Sequence, residues 1–241
     1  MNKQVFALMS LLMAGTPNVE SQELSSPITE VKEQGEVTFL LGGHKDLENM
    51  KKITPYLDEI AGGVLYFEGP KSVESAKKDI AYAQALTRDY DPIITDSFYL
   101  RIIDNNYNQN HSYLLLECAK RGIELRPLEV YDKDTMELES SLYGEMKQKK
   151  EVLRLSPNKG TIEQYTDSVV DYIQFRNDHI LSMLEKTLTN GGTRKPTACF
   201  IGLTHLSAVE EFQEDYIGKP NVKQLCEMPD YVAEIVKRTS N

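Results

Sequence analysis

Two histidines in this sequence follow apolar, strand-like segments through short turns that contain glycine. His44 follows residues 37–41 and two glycines, and His205 follows residues 197–201 and one glycine. An imidazole can accept a proton from water near neutral pH or bind a divalent metal ion. Each histidine alone could be an ordinary loop residue. Because the chain has only four histidines, two in matching settings indicate a functional pair.

Two glutamates stand at the ends of two further apolar segments. Glu68 directly follows residues 64–67, and Glu129 closes residues 123–129. A buried carboxylate is costly unless it is paired, so the position of Glu68 indicates a role in a site. Glu129 has two interpretations, as a member of the same site or as half of an ordinary surface ion pair with Arg126.

Arg176 lies beside the apolar stripe of a long predicted helix. An arginine at such a position either pairs with a buried carboxylate or holds a substrate anion. The alternative, which spacing alone favours, is an arginine that faces solvent.

The elements that would position these side chains alternate between strands and helices. Largely apolar strands in such an alternation predict an α/β fold in a single domain, with a central, mainly parallel (mixed) sheet covered by helices on both faces. Ligands bind at the carboxyl ends of the strands in such sheets, so we expect the two histidines and two glutamates to converge on one edge. The predicted strands are residues 37–41, 64–67, 123–129 and 197–201.

Helical periodicity occupies most of the sequence between the strands. Pro55 should kink or split the first helix. Gly122 should end the helix of residues 112–121. Thr161 should open a capping box with Gln164. The predicted helices are residues 46–60, 71–86, 94–105, 112–121, 132–155, 161–188, 206–216 and 231–237.

The overall charge argues against two classes of partner. The chain of 241 residues has 37 acidic and 27 basic residues and a net charge of −10. Binding to nucleic acid or to an anionic membrane surface depends on a surplus of lysine and arginine, so neither is expected. A small-molecule or peptide substrate is the remaining expectation.

The first 21 residues have two interpretations. Lys3 precedes a mostly apolar run, residues 5–14, which a Gly-Thr-Pro segment ends. These are the parts of a secretory signal, and the run is shorter than the roughly 20 residues of a membrane span. The alternative is an N-terminal helix. The protein would be exported or periplasmic in the first case and cytoplasmic in the second, with residues 22–241 forming the α/β domain.

The three cysteines, Cys118, Cys199 and Cys226, lack the spacing of a zinc site or a redox motif. We therefore expect them to be buried free thiols.

Taken together, these residues resemble a superfamily that contains the TraB/PrgY pheromone-shutdown proteins, the TIKI proteases, the erythromycin esterases and the haem-binding ChaN lipoproteins. The resemblance covers most of the chain after residue 35. It rests on the order and spacing of several short motifs: Phe39-Leu-Leu-Gly-Gly-His44, the strand end at Glu68, residues 119–129, Phe175-Arg-Asn177 with Ile180 and Met183-Leu184, and Phe200-Ile-Gly-Leu-Thr-His205-Leu206.

The resemblance implies a hydrolase in one of two versions. In the version similar to the TIKI proteases, His44, His205, Glu68 and Glu129 would supply the ligands of a divalent metal ion, Mn, Co, Fe or Zn, which would activate a water molecule. In the version similar to the erythromycin esterases, one histidine would act as a general base oriented by a glutamate, and Arg176 would stabilise the oxyanion.

The sequence departs from the family pattern at its first histidine. Family members have Gly-x-x-His at both sites, but Leu41 stands where the first glycine would precede His44. The superfamily also contains proteins with different activities, so two further interpretations remain. One is a haem-binding or other small-ligand-binding protein, as in the ChaN branch. The other is a catalytically silent effector domain.

Overall fold

The computed structural model describes residues 37–43, 47–68, 73–94, 96–104, 109–189, 195–215 and 220–240. All of them belong to one compact unit, Lys32–Asn241. Residues 1–21, with their two interpretations, lie outside the described residues, as does His44.

The described strands form one five-stranded sheet in the order β3-β2-β4-β1-β5. Every pair of neighbouring strands is parallel, which confirms the α/β prediction and makes this sheet parallel throughout rather than mixed. The fifth strand was not predicted, because only one of its four residues is apolar. The strands are β1 (Val37–Gly42), β2 (Val64–Phe67), β3 (Glu124–Pro127), β4 (Thr197–Gly202) and β5 (Asn221–Gln224).

The helices that connect β1 to β2 and β2 to β3 pack on one face of the sheet. Leu40, Leu65 and Phe200 point from the strands into the core on this face, where they join residues such as Leu57 and Leu115. The first predicted helix is divided where Pro55 enters the first turn of the second piece, as expected. These helices are α1 (Leu47–Lys51), α2 (Thr54–Glu59), α3 (Val73–Asp89), α4 (Asp96–Asp104) and α5 (Gln109–Lys120).

All but the first of the later helices cover the opposite face, and that first helix, residues 133–155, packs on the second through Leu142 and Met146. Phe39, Cys199 and Ile201 point from the strands into this second core, which includes Ile180 and Val209. The helices are α6 (Lys133–Leu155), α7 (Lys159–Leu184) with a π-helical turn (Glu185–Thr189), α8 (Leu206–Asp215) and α9 (Asp230–Thr239). The sheet therefore has helices on both faces, as predicted.

The capping box of α7 lies one turn earlier than predicted. The side chain of Asn158 accepts a hydrogen bond from the Thr161 amide, and the Thr161 hydroxyl accepts one from the Asn158 amide. Asn158 is therefore the N-cap, and Thr161 is the third residue of the helix. The prediction at Gly122 was correct, since this residue ends the turn after α5 with a φ of 64°.

Gly63 sits at a tight junction before β2. A side chain on Gly63 would collide with the backbone carbonyl oxygens of Pro196 and Ile60. The junction is close because the Val64 amide donates to the Pro196 carbonyl at 2.9 Å, which aligns the starts of β2 and β4.

Among the described residues, no helix combines the length and the apolar character needed to cross a lipid bilayer.

Candidate functional site

Three of the predicted site residues lie at the carboxyl ends of neighbouring strands. Glu68 directly follows β2, Glu129 follows β3 by two residues, and His205 ends the 3-10 turn Leu203–His205 after β4. The helices that follow β2 and β4, α3 and α8, pack on opposite faces of the sheet, an arrangement that typically leaves the strand ends open to a ligand. Arg176 reaches this edge from α7.

Arg176 joins the two glutamates in an ion cluster. Its Nε donates to Glu129 Oε1 at 2.8 Å, and its Nη2 donates to Glu129 Oε2 at 2.5 Å. Nη2 also donates to Glu68 Oε1. Glu129 is fully buried and Arg176 is only 8% exposed, so the bidentate geometry compensates two charges that have lost their water. Two carboxylates and one guanidinium give the cluster a formal charge of −1.

The same contacts set the protonation of Arg176 and Tyr131. Burial by itself lowers the pKa of Arg176, but the charge of Glu68 and the hydrogen bonds and charge of Glu129 outweigh it and raise this pKa. The Tyr131 hydroxyl donates to Glu129 Oε1 at 2.6 Å. Burial, followed by the charge of Glu129, raises the pKa of Tyr131. Arg176 therefore remains a cation, and Tyr131 remains a neutral donor.

Glu68 is held on both of its oxygens. Oε2 accepts a hydrogen bond from the Gly202 amide at 2.8 Å, and Oε1 accepts one from Arg176. Oε1 also lies 3.5 Å from Nε2 of His205. The Glu68 carboxylate is thus fixed at the end of β4, facing the imidazole.

His205 is completely buried, with its two nitrogens in different surroundings. Nδ1 lies 2.5 Å from Oδ1 of Asn177. Nε2 makes no hydrogen bond to any described residue, although Glu68 Oε1 is within ion-pairing distance. Nε2 is thus the ring nitrogen that faces Glu68 without a hydrogen bond to a described residue.

Behind His205, the polar side chains of Ser207 and Thr239 continue from Asn177. The Asn177 amide nitrogen donates to Ser207 Oγ at 2.9 Å, and Ser207 Oγ lies 2.9 Å from Thr239 Oγ1. The Thr239 hydroxyl donates to the backbone carbonyl of Val236 at 3.0 Å. Asn177, Ser207 and Thr239 are all buried, so they connect His205 to α9 through the interior of the protein.

The sequence analysis gave no role to four of these residues, although Asn177 stood in one of its motifs. Asn177 follows Arg176 directly and Ser207 lies two residues after His205, so proximity to a predicted residue was the available signal. Tyr131 and Thr239 carried no signal, because their roles depend on packing between distant segments.

The remaining polar candidates lie elsewhere. Arg126 donates to Glu124 at 2.9 Å rather than pairing with Glu129, so the surface-pair interpretation of Glu129 was wrong. His111 packs against Phe67, with the ring centres 5.5 Å apart, on the face of the sheet opposite to Arg176 and α7. His179 forms a hydrogen bond within its own helix, in which Nδ1 lies 3.1 Å from the Phe175 carbonyl oxygen.

The described ligand candidates do not fit a metal ion in this arrangement. Both oxygens of Glu129 accept hydrogen bonds from Arg176, and Glu68 shares its oxygens between Arg176 and the Gly202 amide. A divalent cation would have to displace the guanidinium to reach these carboxylates, against the repulsion between two positive charges. Within the described residues, no group of three or more ligating side chains is arranged to hold a metal ion.

The chain matches no protein-family model, no curated protein and no solved structure. The resemblance to the TraB, TIKI, erythromycin esterase and ChaN superfamily therefore stays a prediction from the sequence motifs.

Proposed function

We propose that this protein is a hydrolase in which His205 acts as a general base without a metal ion. The observation that supports the proposal most strongly is the state of the buried imidazole. Nδ1 is held by Asn177, whereas Nε2 has no hydrogen bond to a described residue and faces Glu68. In a catalytic triad the orienting group holds the ring nitrogen opposite the base, and Asn177 occupies that position on Nδ1.

In the proposed reaction, Nε2 takes a proton from water as the water oxygen attacks the carbonyl carbon of an ester or amide. The tetrahedral intermediate then expels the alcohol or amine, which receives the proton from Nε2 as the C–O or C–N bond breaks. The products are a carboxylic acid and an alcohol or amine. The substrate would be a small molecule or a peptide.

Glu68 and Arg176 have separate roles in this proposal. The Glu68 carboxylate, 3.5 Å from Nε2, stabilises the imidazolium that forms during proton transfer. Arg176 holds Glu68 and Glu129 in place, because its Nε and Nη2 groups donate to these carboxylates. This role differs from the oxyanion contact that the resemblance implies. The Glu68 side chain is 13% exposed, more than Arg176, Glu129 or His205, so the substrate would approach from its side.

His44 stays a candidate second catalytic histidine on the strength of the resemblance. The other functions implied by the resemblance, metal-dependent peptidase and haem-binding protein, make different predictions in the experiment below.

The test is hydrolysis of a panel of ester and peptide substrates by the purified protein, with and without a chelator. We expect wild-type activity to persist in chelator and His205→Ala to lose about 10²-fold or more in kcat. The matched control is His111→Ala, which removes an imidazole on the opposite face of the sheet and should retain activity. Thermal unfolding of each variant checks that the fold is intact.

Several outcomes would contradict the proposal. Full activity of His205→Ala would show that His205 is not the general base. No hydrolysis by the wild-type protein on any substrate of the panel would reject the hydrolase function. Activity that disappears in chelator and returns with added Mn, Co, Fe or Zn would favour the metal-dependent version. If the protein binds haem on incubation and shows a Soret absorbance band, the ligand-binding alternative would be favoured.

A further inference from the structure

We propose that Asn177, Ser207 and Thr239 form a hydrogen-bond chain with a single direction, which holds the proton of neutral His205 on Nδ1 and leaves the lone pair on Nε2. These are positioning residues, since they act through His205. The consequence for catalysis rests on the proposed function, but the tautomer itself does not.

The direction of the chain is set at its far end by a backbone carbonyl. The carbonyl oxygen of Val236 can only accept, and the Thr239 hydroxyl donates its one hydrogen to it at 3.0 Å, beside the amide and hydroxyl of Ser240 at 3.1 and 2.8 Å. Thr239 can then only accept from Ser207, whose oxygen lies 2.9 Å away. Ser207 has thereby used its own hydrogen and must accept from Asn177.

Asn177 transmits this direction to the imidazole. Its amide nitrogen donates to Ser207 Oγ at 2.9 Å, so its carbonyl oxygen is the atom that faces His205. A carbonyl oxygen has no hydrogen, and it lies 2.5 Å from Nδ1. The proton of the Asn177–His205 hydrogen bond therefore comes from Nδ1, and a neutral imidazole with Nδ1 protonated has its lone pair on Nε2.

The alternative arrangement makes fewer hydrogen bonds. If the Asn177 amide were turned over, its oxygen would need the hydrogen of Ser207. Ser207 would then have no hydrogen for Thr239, so the Thr239 hydroxyl would have to donate to Ser207 and give up its bond to the Val236 carbonyl. The turned-over amide therefore makes one hydrogen bond fewer along the chain.

The other side of the ring supports the same tautomer. Nε2 lies 3.5 Å from Glu68 Oε1, which can only accept as a carboxylate. A protonated Nε2 would be expected closer, at a normal hydrogen-bond distance of roughly 2.7–3.2 Å. At 3.5 Å no hydrogen bond to Glu68 holds a proton on Nε2, so the contact with Asn177 is the one that fixes the tautomer.

The test reads the tautomer directly by ¹⁵N NMR of protein labelled at histidine. Spectra are recorded well above the ordinary imidazole pKa of about 6.5 so that the ring is neutral. The His205 signals are identified by their loss in His205→Gln. We expect a protonated Nδ1 and an unprotonated Nε2 in the wild-type protein. A proton on Nε2 instead would overturn the proposal.

Two pairs of variants test the chain link by link. Asn177→Asp keeps an acceptor oxygen and should retain the Nδ1 proton, whereas Asn177→Leu removes the acceptor and should shift the proton toward Nε2. Ser207→Ala should also shift it, because the Asn177 amide loses its acceptor. Ser168→Ala is the matched control: Ser168 is buried on the same helix as Asn177, and its hydroxyl donates to the Tyr165 carbonyl at 2.7 Å. An unchanged tautomer in both Asn177→Leu and Ser207→Ala would refute the chain.

A kinetic measurement separates this proposal from the proposed function. If the protein is a hydrolase, Ser207→Ala should lower kcat by about 10-fold or more with little change in KM, since an imidazole in the wrong tautomer is a poor base. Wild-type protein with the expected tautomer but no hydrolytic activity would reject the hydrolase and leave the chain intact. An unchanged kcat in a Ser207→Ala protein whose tautomer has shifted would reject the catalytic consequence.

Discussion

Arg176 and Glu129 form a bidentate ion pair at the carboxyl end of the sheet, with Nε 2.8 Å from Oε1 and Nη2 2.5 Å from Oε2. The two residues are 47 positions apart in the sequence, so the pair ties α7 to the segment that follows β3. Because Glu129 is fully buried, this interaction bears on stability as well as on the site.

Replacing Arg176 by methionine should strongly destabilise the protein. The variant keeps much of the side-chain volume but leaves Glu68 and Glu129 as neighbouring carboxylates without their cation. We expect a loss of about 3–5 kcal/mol in the free energy of unfolding, measured by urea denaturation.

The control for that measurement is Arg238→Met, which breaks the ion pair between Arg238 and Asp167. These side chains are 36% and 60% exposed, so the expected loss is at most about 1 kcal/mol. Equal losses in the two variants would show that burial does not determine the strength of the Arg176 pair.

Removing the Tyr131 hydroxyl should leave part of Glu129 without a donor. Tyr131→Phe is expected to cost about 1.5–3 kcal/mol, the range for a hydrogen bond to a charged group. Tyr172→Phe provides a comparison, because its hydroxyl donates at 2.7 Å to Glu139, which is more exposed than the fully buried Glu129. A larger loss in Tyr172→Phe than in Tyr131→Phe, measured by urea denaturation, would contradict this account.

The raised pKa of Tyr131 also predicts a pH dependence. In the unfolded chain this hydroxyl loses its proton near the ordinary value of about 10, whereas burial and Glu129 keep it protonated in the folded protein. Above that pH the folded state binds more protons than the unfolded state, so stability should fall as the pH rises. Tyr131→Phe should flatten this fall between about pH 10 and 11. An identical alkaline slope in the two proteins would argue against the shift.

Two glycine substitutions should have opposite effects. Gly63→Ala places a methyl group against the carbonyl oxygens of Pro196 and Ile60, and we expect a loss of several kcal/mol, roughly 3 or more. Gly144→Ala lies in α6 with open space around the new methyl group and should stabilise the protein by about 0.5–1 kcal/mol. Thermal unfolding of the two variants compares them, and a stable Gly63→Ala would contradict the close approach of β2 and β4.

The three thiols should differ in reactivity. Cys118 and Cys199 are buried, and burial raises the pKa of both thiols, so few thiolates form near neutral pH. Cys226 is only partly buried. We expect a maleimide to modify Cys226 first in the native protein and all three thiols after denaturation, as counted by mass spectrometry. Rapid modification of Cys199 in the native protein would be inconsistent with a buried β4.

The predictability of the fold depended on how apolar each element is. β1, β2 and β4 are almost entirely apolar and buried, so composition alone identified them. β5 is a polar four-residue strand at the edge, whose existence depends on pairing with β1 rather than on its own sequence. The start of α7 was misplaced because Asn158 and Thr161 both suit a capping position.

The site was predictable where a general rule applied to single residues. Glu68, Glu129 and His205 follow strands, and parallel strands place such residues on one edge of the sheet. The partners of His205 were not predictable in this way. Asn177, Ser207 and Thr239 are separated by about 30 residues at each step, and only the packing of α7, α8 and α9 brings them together.

The two outer strands of the sheet have a consequence for association between molecules. An exposed strand edge can recruit a strand from another chain, which leads to aggregation. Here β3 and β5 are each only four residues long; β3 ends in Pro127, which has no amide hydrogen to donate, and β5 contains Lys223. Short outer strands with a proline and a lysine discourage such recruitment, so the sheet should resist edge-to-edge growth in concentrated solution.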